Sequence, residues 1–384
     1  MRVLIVLVVN ALGLVAAMGQ APVELVSSVE TGWTSNATES AGGAADFYLR
    51  HNHDLSARGV MGPLSLRAGL LLEQQVFRQH HGENDLSITG GVEAGLDLFE
   101  GMRLRTGYAL TGEWTGKMLD LGPLMLVINS PALEHEILGE LIVGDAGRAV
   151  TMGMDLRHRQ PGLSDFVGLP IPPTVIDPEV REVTARVDGE WAIGQDVIGL
   201  ARLHWIIASV PEADRFDFGR QPASVARLAG GFRLRQGLLS VEARAGGDLV
   251  WPEAAPHLTQ FWPYLDAKAE MVVSEQLTIS ARALAGVELF NPLDGVASRR
   301  LEADLDARFA LTDSIAVSAG LGLSHERGLY DDSATKTNRT VRGAVSHSFA
   351  SGLEAGIKAS HAQVEETGAA YEVSTIGLML AGKV

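Results

Sequence analysis

Between Asp85 and Lys117 the side chains change character at every step. Leu86, Ile88, Gly90, Val92, Ala94, Leu96 and Leu98 alternate with Ser87, Thr89, Gly91, Glu93, Gly95 and Asp97. After Phe99-Glu100-Gly101 the pattern resumes, with Met102, Leu104, Thr106, Tyr108, Leu110, Gly112 and Trp114 set against Arg103, Arg105, Gly107, Ala109, Thr111 and Glu113. A period of two means an extended strand with one apolar and one polar face. Each run is about a dozen residues long, well past the usual five or six of soluble sheets. Such a length suits a tilted strand crossing a bilayer within a closed barrel.

The rest of the chain repeats this hairpin. Candidate strands fall at 23–35, 45–56, 63–77, 85–98, 102–115, 132–143, 148–159, 180–192, 196–208, 224–235, 238–251, 260–273, 277–290, 299–311, 314–326, 339–349, 352–364 and 370–384. Their connections alternate in kind. One set is tight: Phe99–Gly101, Gly144–Gly147, Ile193–Gln195, Gln236–Gly237, Ser274–Gln276, Thr312–Asp313 and Ala350–Ser351. The other is longer and more polar, from Arg78–Asn84 through Lys117–Pro131, Gln160–Glu179, Val210–Pro222, Pro252–Thr259, Asn291–Ser298 and Arg327–Asn338 to Glu365–Gly368. Short turns at one rim and long loops at the other are the rule of outer-membrane barrels. The fold class is therefore all-β: a transmembrane antiparallel up-and-down barrel of about 18 strands, with 16 as the alternative count.

Aromatics divide between the rims, as rings at a bilayer interface do. Trp33, Phe77, Trp114, Trp251, Phe261, Trp262, Phe290 and Tyr371 fall near the long-loop ends, and Phe99, Trp191, Phe309 and Phe349 near the turns. Two segments fit less well. Trp262 takes the lumen phase, and the strand at 196–208 is apolar on both faces, with Ile198, Leu200 and Ile206 against Val197, Leu203 and Trp205.

Residues 1–19 read as an export signal: Arg2 is the basic end, Val3–Val15 the apolar stretch and Ala17-Met18-Gly19 the cleavage site. Residues 20–384 then form one barrel domain. The chain has no Cys, which removes disulfides and thiolate metal sites. Its formal charge of −16, which becomes −17 once Arg2 leaves with the signal, argues against nucleic acid as a partner.

Alternation sends many charges to the lumen. They are Arg103, Arg105, Glu113, Glu182, Arg186, Asp188, Glu190, Arg233, Arg235, Glu242, Arg244, Asp266, Lys268, Glu270, Arg300, Glu302, Asp304, Asp306 and Arg308. Mixed signs can pair across strands and brace the wall, or form a zone that selects ions and charged solutes. The longest loop, Gln160–Glu179, is apolar and Pro-rich, and Asp165 and Phe166 within it are the candidates for an inward constriction. Leu124–Ile128 is an unexplained apolar run in the loop before it.

No catalytic, metal-binding or cofactor-binding set emerges. His51 and His53 lack a third ligand, and His347-Ser348 is split by alternation between lipid and lumen. The expectation is a barrel that is not an enzyme and needs no cofactor.

The first strand ends in Gly32-Trp33-Thr34-Ser35-Asn36, which resembles the "β-barrel porin 2" type of outer-membrane family. The last strand, with Ile376, Leu378, Leu380, Gly382 and Val384 on one face, resembles the C-terminal sorting signal of bacterial outer-membrane barrels, departing from it by ending in Val384 rather than an aromatic residue. What the resemblance implies is a channel, including the exit channel of a secreted polysaccharide with a periplasmic export partner. The residues themselves fit a porin passing small solutes or ions through a polar, mixed-charge lumen, with outer-membrane lipids and lipopolysaccharide around it. A barrel plugged by its own loops, with a structural or adhesive role, is the third reading.

Overall fold

The computed structural model describes residues 23–40, 43–120, 125–145 and 147–383. The export signal assigned to 1–19 and the terminal Val384 lie outside the described residues.

Among the described residues nineteen strands form one sheet. The first seven are β1 (Val23–Thr34), β2 (Asp46–Met61), β3 (Leu64–Phe77), β4 (Asp85–Phe99), β5 (Met102–Asp120), β6 (Met125–Asp145) and β7 (Arg148–Pro161). A short β8 (Asp165–Val167) precedes β9 (Val180–Ala192), β10 (Val197–Ser209), β11 (Ala223–Gln236), β12 (Leu239–Pro252) and β13 (Gln260–Val272). The series ends with β14 (Leu277–Glu288), β15 (Ser298–Ala310), β16 (Ile315–Gly328), β17 (Thr335–Ser348), β18 (Leu353–Glu366) and β19 (Ala369–Lys383). One short helix, α1 (Glu212–Asp217), lies between β10 and β11. Setting β8 aside, eighteen strands pair antiparallel with their chain neighbours, and β1 with β19 closes the ring. Closure leaves the ring without an open end, which a bilayer requires because its core offers no partner for free backbone groups.

The seam runs from Val26 opposite Lys383 to Thr34 opposite Thr375. The Ser35-Asn36 pair continues it beyond the strands. Ser35 donates its N–H to Ser374 O at 2.8 Å, and its hydroxyl accepts the Ser374 N–H at 2.8 Å. Buried Asn36 donates to Ser40 O and Glu372 O. The motif at the end of the first strand thus ties the barrel shut at the long-loop rim.

Turn chemistry follows the residues. Gly237 opens the two-residue turn of β11–β12 with φ +56°, and Thr367-Gly368 joins β18 to β19 with φ +42° and +86°. Both are conformations that match the twist of a hairpin. The connection read as the loop Glu365–Gly368 is therefore a tight turn, although it lies at the long-loop rim. The Lys117–Pro131 loop also differs from expectation. β5 and β6 pair as far as Asp120 opposite Met125, so the apolar run at Leu124–Ile128 is mostly strand. Leu126 and Ile128 are buried there. Glu83 accepts the Met118 N–H at 2.5 Å, which holds this projecting hairpin to the loop before β4.

The outer face is a belt of exposed apolar side chains, Leu203, Leu228, Leu305, Leu321, Val341, Ile357 and Leu378 among them. Trp205 and Trp251 meet edge to face at 5.0 Å on the long-loop side, near exposed Phe261. Phe99, Trp191, Phe309 and Phe349 are exposed toward the turns. Four aromatics assigned to the girdle point elsewhere: Phe77 packs on Tyr48, Tyr371 lines a cavity inside the ring, and Trp262 and Phe290 belong to the inner structure described next.

Candidate functional site: a charged lumen and an inward hairpin

Cross-strand partners share a face, so the registers place the charged residues together on the inner wall. Arg105 lies opposite Glu140, Arg186 opposite His204, Arg233 opposite Glu242, Lys268 opposite Arg282 and Arg300 opposite Glu326. Most of these charges pair. Arg105 bridges Glu93 at 2.8 Å and Glu140 at 3.3 Å; Arg186 contacts the same Glu140 and reaches Asp155 at 3.0 Å. Arg202 binds Asp188 at 2.9 Å, and Arg233 joins Glu190 at 3.0 Å to Glu242 at 2.6 Å. Arg244 contacts Glu242 and, at 3.9 Å, Asp266. Arg342 holds Asp304 at 3.2 Å and Asp306 at 2.7 Å. Nearer the rims, Arg103 meets Asp97 at 3.5 Å, Glu113 meets Arg159 at 3.2 Å, and Arg300 contacts Glu302. Among the described residues Glu182, Arg235, Lys268, Glu270 and Arg308 have no ion-pair partner.

The constriction is formed by a different element from the one the sequence suggests. Asp165 and Phe166 sit in β8, which pairs with Val127–Asn129 of β6 and so prolongs the wall of the projecting hairpin. The buried Ser164 hydroxyl donates to Ser130 Oγ at 2.9 Å and fixes that position. Of the Pro-rich loop, Phe166 stands opposite buried Ile128 in register, while Leu163, Val167, Ile171, Val175 and Ile176 stay exposed.

The narrowing comes from β14 and β15. β13 pairs with β14 only up to Leu265 opposite Ala285, while β14 and β15 stay paired to Glu288 opposite Ser298. Above Ala285 the hairpin leaves the wall and turns inward. Val287, Leu289 and Ala297 pack against Ala208, Val225 and Val250 on the inner faces of β10–β12, with Ile206 and Trp262 alongside. This accounts for the double-sided β10: Trp205 and Leu203 face lipid, and Ile206 and Ala208 face the hairpin.

Polar anchors complete the fit. Asp248, fully buried, accepts the Val287 N–H at 2.9 Å and holds Arg227 through two bonds of 2.7 and 2.9 Å. Arg227 in turn lies 4.2 Å over the Tyr264 ring. From the β10–β11 loop, Arg220, only 3 % exposed, donates to the carbonyls of Leu289 and Phe290. Burial pushes its guanidinium down to about 10, still charged at neutral pH. Asp294 accepts the N–H groups of Val296, Ala297 and Tyr330, binding the hairpin tip to the next loop. Burial raises the Tyr330 phenol to about 12.

At its tip the hairpin reaches another wall. The Arg157 guanidinium of β7 lies 3.8 Å over the Phe290 ring, and Glu134 accepts from Arg157 at 2.5 Å. This contact forms a chord across the lumen. The side toward the long-loop ends of β10–β13 is filled, and the space that remains includes two cavities beside the chord and beyond it. One, about 850 Å³, is lined by acids Asp54, Glu93, Glu136, Glu140, Asp155 and Glu182 and by bases Arg67, Arg105, Arg157 and Arg186. The other, about 530 Å³, lies between Glu30, Tyr48, Asp306, Arg342 and Lys358. Sequence reasoning did not single out Glu93, Glu140, Asp155, Arg157, Arg227 or Arg342. All carry the same two-residue phase as the residues it chose.

No family model and no curated protein matches the chain, so the five-residue resemblance to β-barrel porin 2 gains no support. Solved structures do resemble it. The copper transporter OprC matches with a TM-score of 0.54 and 10 % identity, over 95 % of this chain and 81 % of that one. A mutant of the ferric enterobactin receptor PfeA from Pseudomonas aeruginosa gives 0.53 and 8 %, over 95 % and 81 %. The FrpB iron transporter from Neisseria meningitidis gives 0.53 and 8 %, over 93 % and 64 %. At such identities the likeness is one of fold alone: the chain is an all-β, closed barrel of 18 antiparallel strands, of the outer-membrane type.

Proposed function

We propose that this barrel is a narrow outer-membrane diffusion channel for small polar solutes or ions. The observation that carries the reading is the chord from Phe290 to Arg157. It leaves a reduced, charge-lined passage in a ring that would otherwise be too wide for its own side chains to fill. Passage is passive: paired charges replace bulk water along the wall, and the chord sets width. The same chord speaks against a polymer exit, since a polysaccharide needs one continuous broad bore. A barrel closed by its hairpin is the competing reading, favoured by the number of anchors at Asp248, Arg220 and Asp294.

Planar-bilayer recording separates the two. The channel reading expects small ohmic steps from the purified protein, and a rise of roughly several-fold in unit conductance when residues 291–296 are replaced by a two-residue turn. A silent wild-type barrel that opens only after that replacement would establish the plug instead.

A further inference from the structure

We infer that the passage beside the chord selects cations, through Glu182 and Glu288. The inference rests on the channel reading and names its solute class. Glu182 is the register partner of Arg157, the residue that stacks on Phe290. Glu288 stands two residues before Phe290, and its Oε1 accepts the Phe290 N–H at 3.0 Å. The two carboxylates therefore flank the contact that narrows the lumen, one from the wall and one from the hairpin.

Their charge is only partly offset locally. Among the described residues neither has a Lys, Arg or His nitrogen within ion-pair distance, whereas Arg157 is already taken by Glu134 at 2.5 Å and by Glu136 at 3.7 Å. The nearby Arg227 is committed to Asp248; Arg220, bonded to carbonyls that carry no net charge, offsets one of the two carboxylates and leaves the other in excess. Glu182 also lines the larger cavity, where six acids face four bases, so the approach carries the same sign as the neck. A low-dielectric wall strengthens the field of an uncompensated charge. Asp304 and Asp306 are the more obvious acidic pair by sequence, but Arg342 pairs with both and Arg282 stands opposite Asp304 in register.

The solute class is a small hydrated cation or a molecule bearing an ammonium group. The test is the reversal potential of the full-length protein in a bilayer under a potassium chloride gradient. Potassium permeability should exceed chloride by about threefold or more. The pair Glu182→Gln with Glu288→Gln should cut that ratio by at least about twofold, and Asp304→Asn with Asp306→Asn should cut it less. Glu182→Asp, which restores charge and volume in part, should recover most of the preference. Repeating the gradient with ethylammonium chloride tells an organic cation from an inorganic one by relative permeability. An open channel with equal or anion-favouring permeability overturns this inference and leaves the channel reading intact; so does a ratio unmoved by the double change in a barrel that still migrates as folded without boiling. A silent protein overturns both.

Discussion

The inner wall has two unlike halves. Toward the long-loop ends of β10–β13 it is dry: Val225, Val250 and Asp248 are fully buried beneath the inward hairpin, as is Ala297 of the hairpin itself. From β15 round to β7 it is wet, and its ion pairs are open to the lumen; Asp304, Asp306 and Arg342 each keep about two-fifths of their side-chain surface exposed. The same chemistry therefore does different work. A buried carboxylate must have its partners, since desolvation is repaid only by full hydrogen bonding. An exposed pair contributes little to stability and is free to act on passing solutes.

The largest effect should come from the dry half. Asp248→Ala strands the Arg227 guanidinium and the Val287 N–H inside the barrel. Breaking a buried pair in this way costs about 3–5 kcal/mol. Urea unfolding in lipid vesicles, followed by tryptophan fluorescence, should register that loss, and bilayer recordings should show frequent transitions to larger conductance as the hairpin loosens. A stable variant with unaltered conductance would mean the hairpin is held by its apolar contacts alone.

The outer surface is the control on which face is which. Leu305 is 47 % exposed and lies between two inward aspartates. Leu305→Arg should destabilise by about 2–4 kcal/mol if that surface meets the middle of a bilayer. Tolerance of the arginine would place Leu305 in water and break the membrane assignment.

Arg220→Met comes next, and its two terms oppose. The change removes donors to Leu289 O and Phe290 O, worth about 1–3 kcal/mol for buried groups. It also removes a buried charge whose Nη1 has no partner. We expect a net loss of about 1–2 kcal/mol by the same unfolding assay. A gain in stability would mean the charge is kept for a reason other than holding the hairpin.

The contrast between the halves also explains what was legible in the sequence. Strands were, because a wall with lipid on one side and water on the other enforces alternation along its whole length. Closure was, because short turns and longer loops alternate along the chain, with the tight Thr367-Gly368 turn the departure from that order. The hairpin was not, because β14 and β15 keep alternating while they leave the wall: Gly286, Val287, Glu288 and Leu289 read like any strand end. The trace it left was on its neighbour, where the apolar inner face of β10 had no stated purpose. Asp165 and Phe166 were chosen because apolar loops suggest burial, but Asp165 is exposed and Phe166 half-buried, paired on a wall extension that Leu124–Ile128 hid as a loop.

The smallest effect belongs to the wet half. Arg342 contacts both Asp304 and Asp306, so Arg342→Gln removes two ion pairs at once. A count of contacts would make that costly. Solvent screening says otherwise: pairs this exposed are worth below about 1 kcal/mol each, and less in high salt. Unfolding should therefore shift little. The lumen gains one net negative charge, so the potassium-to-chloride ratio should rise, yet by less than the loss of Glu182 and Glu288 lowers it, because Arg342 lies on the wall of the second cavity rather than at the chord. If Arg342→Gln instead moved selectivity more than the two glutamates do, the narrowest point would lie between β15 and β17, and the division of the lumen drawn here would have to be redrawn around it.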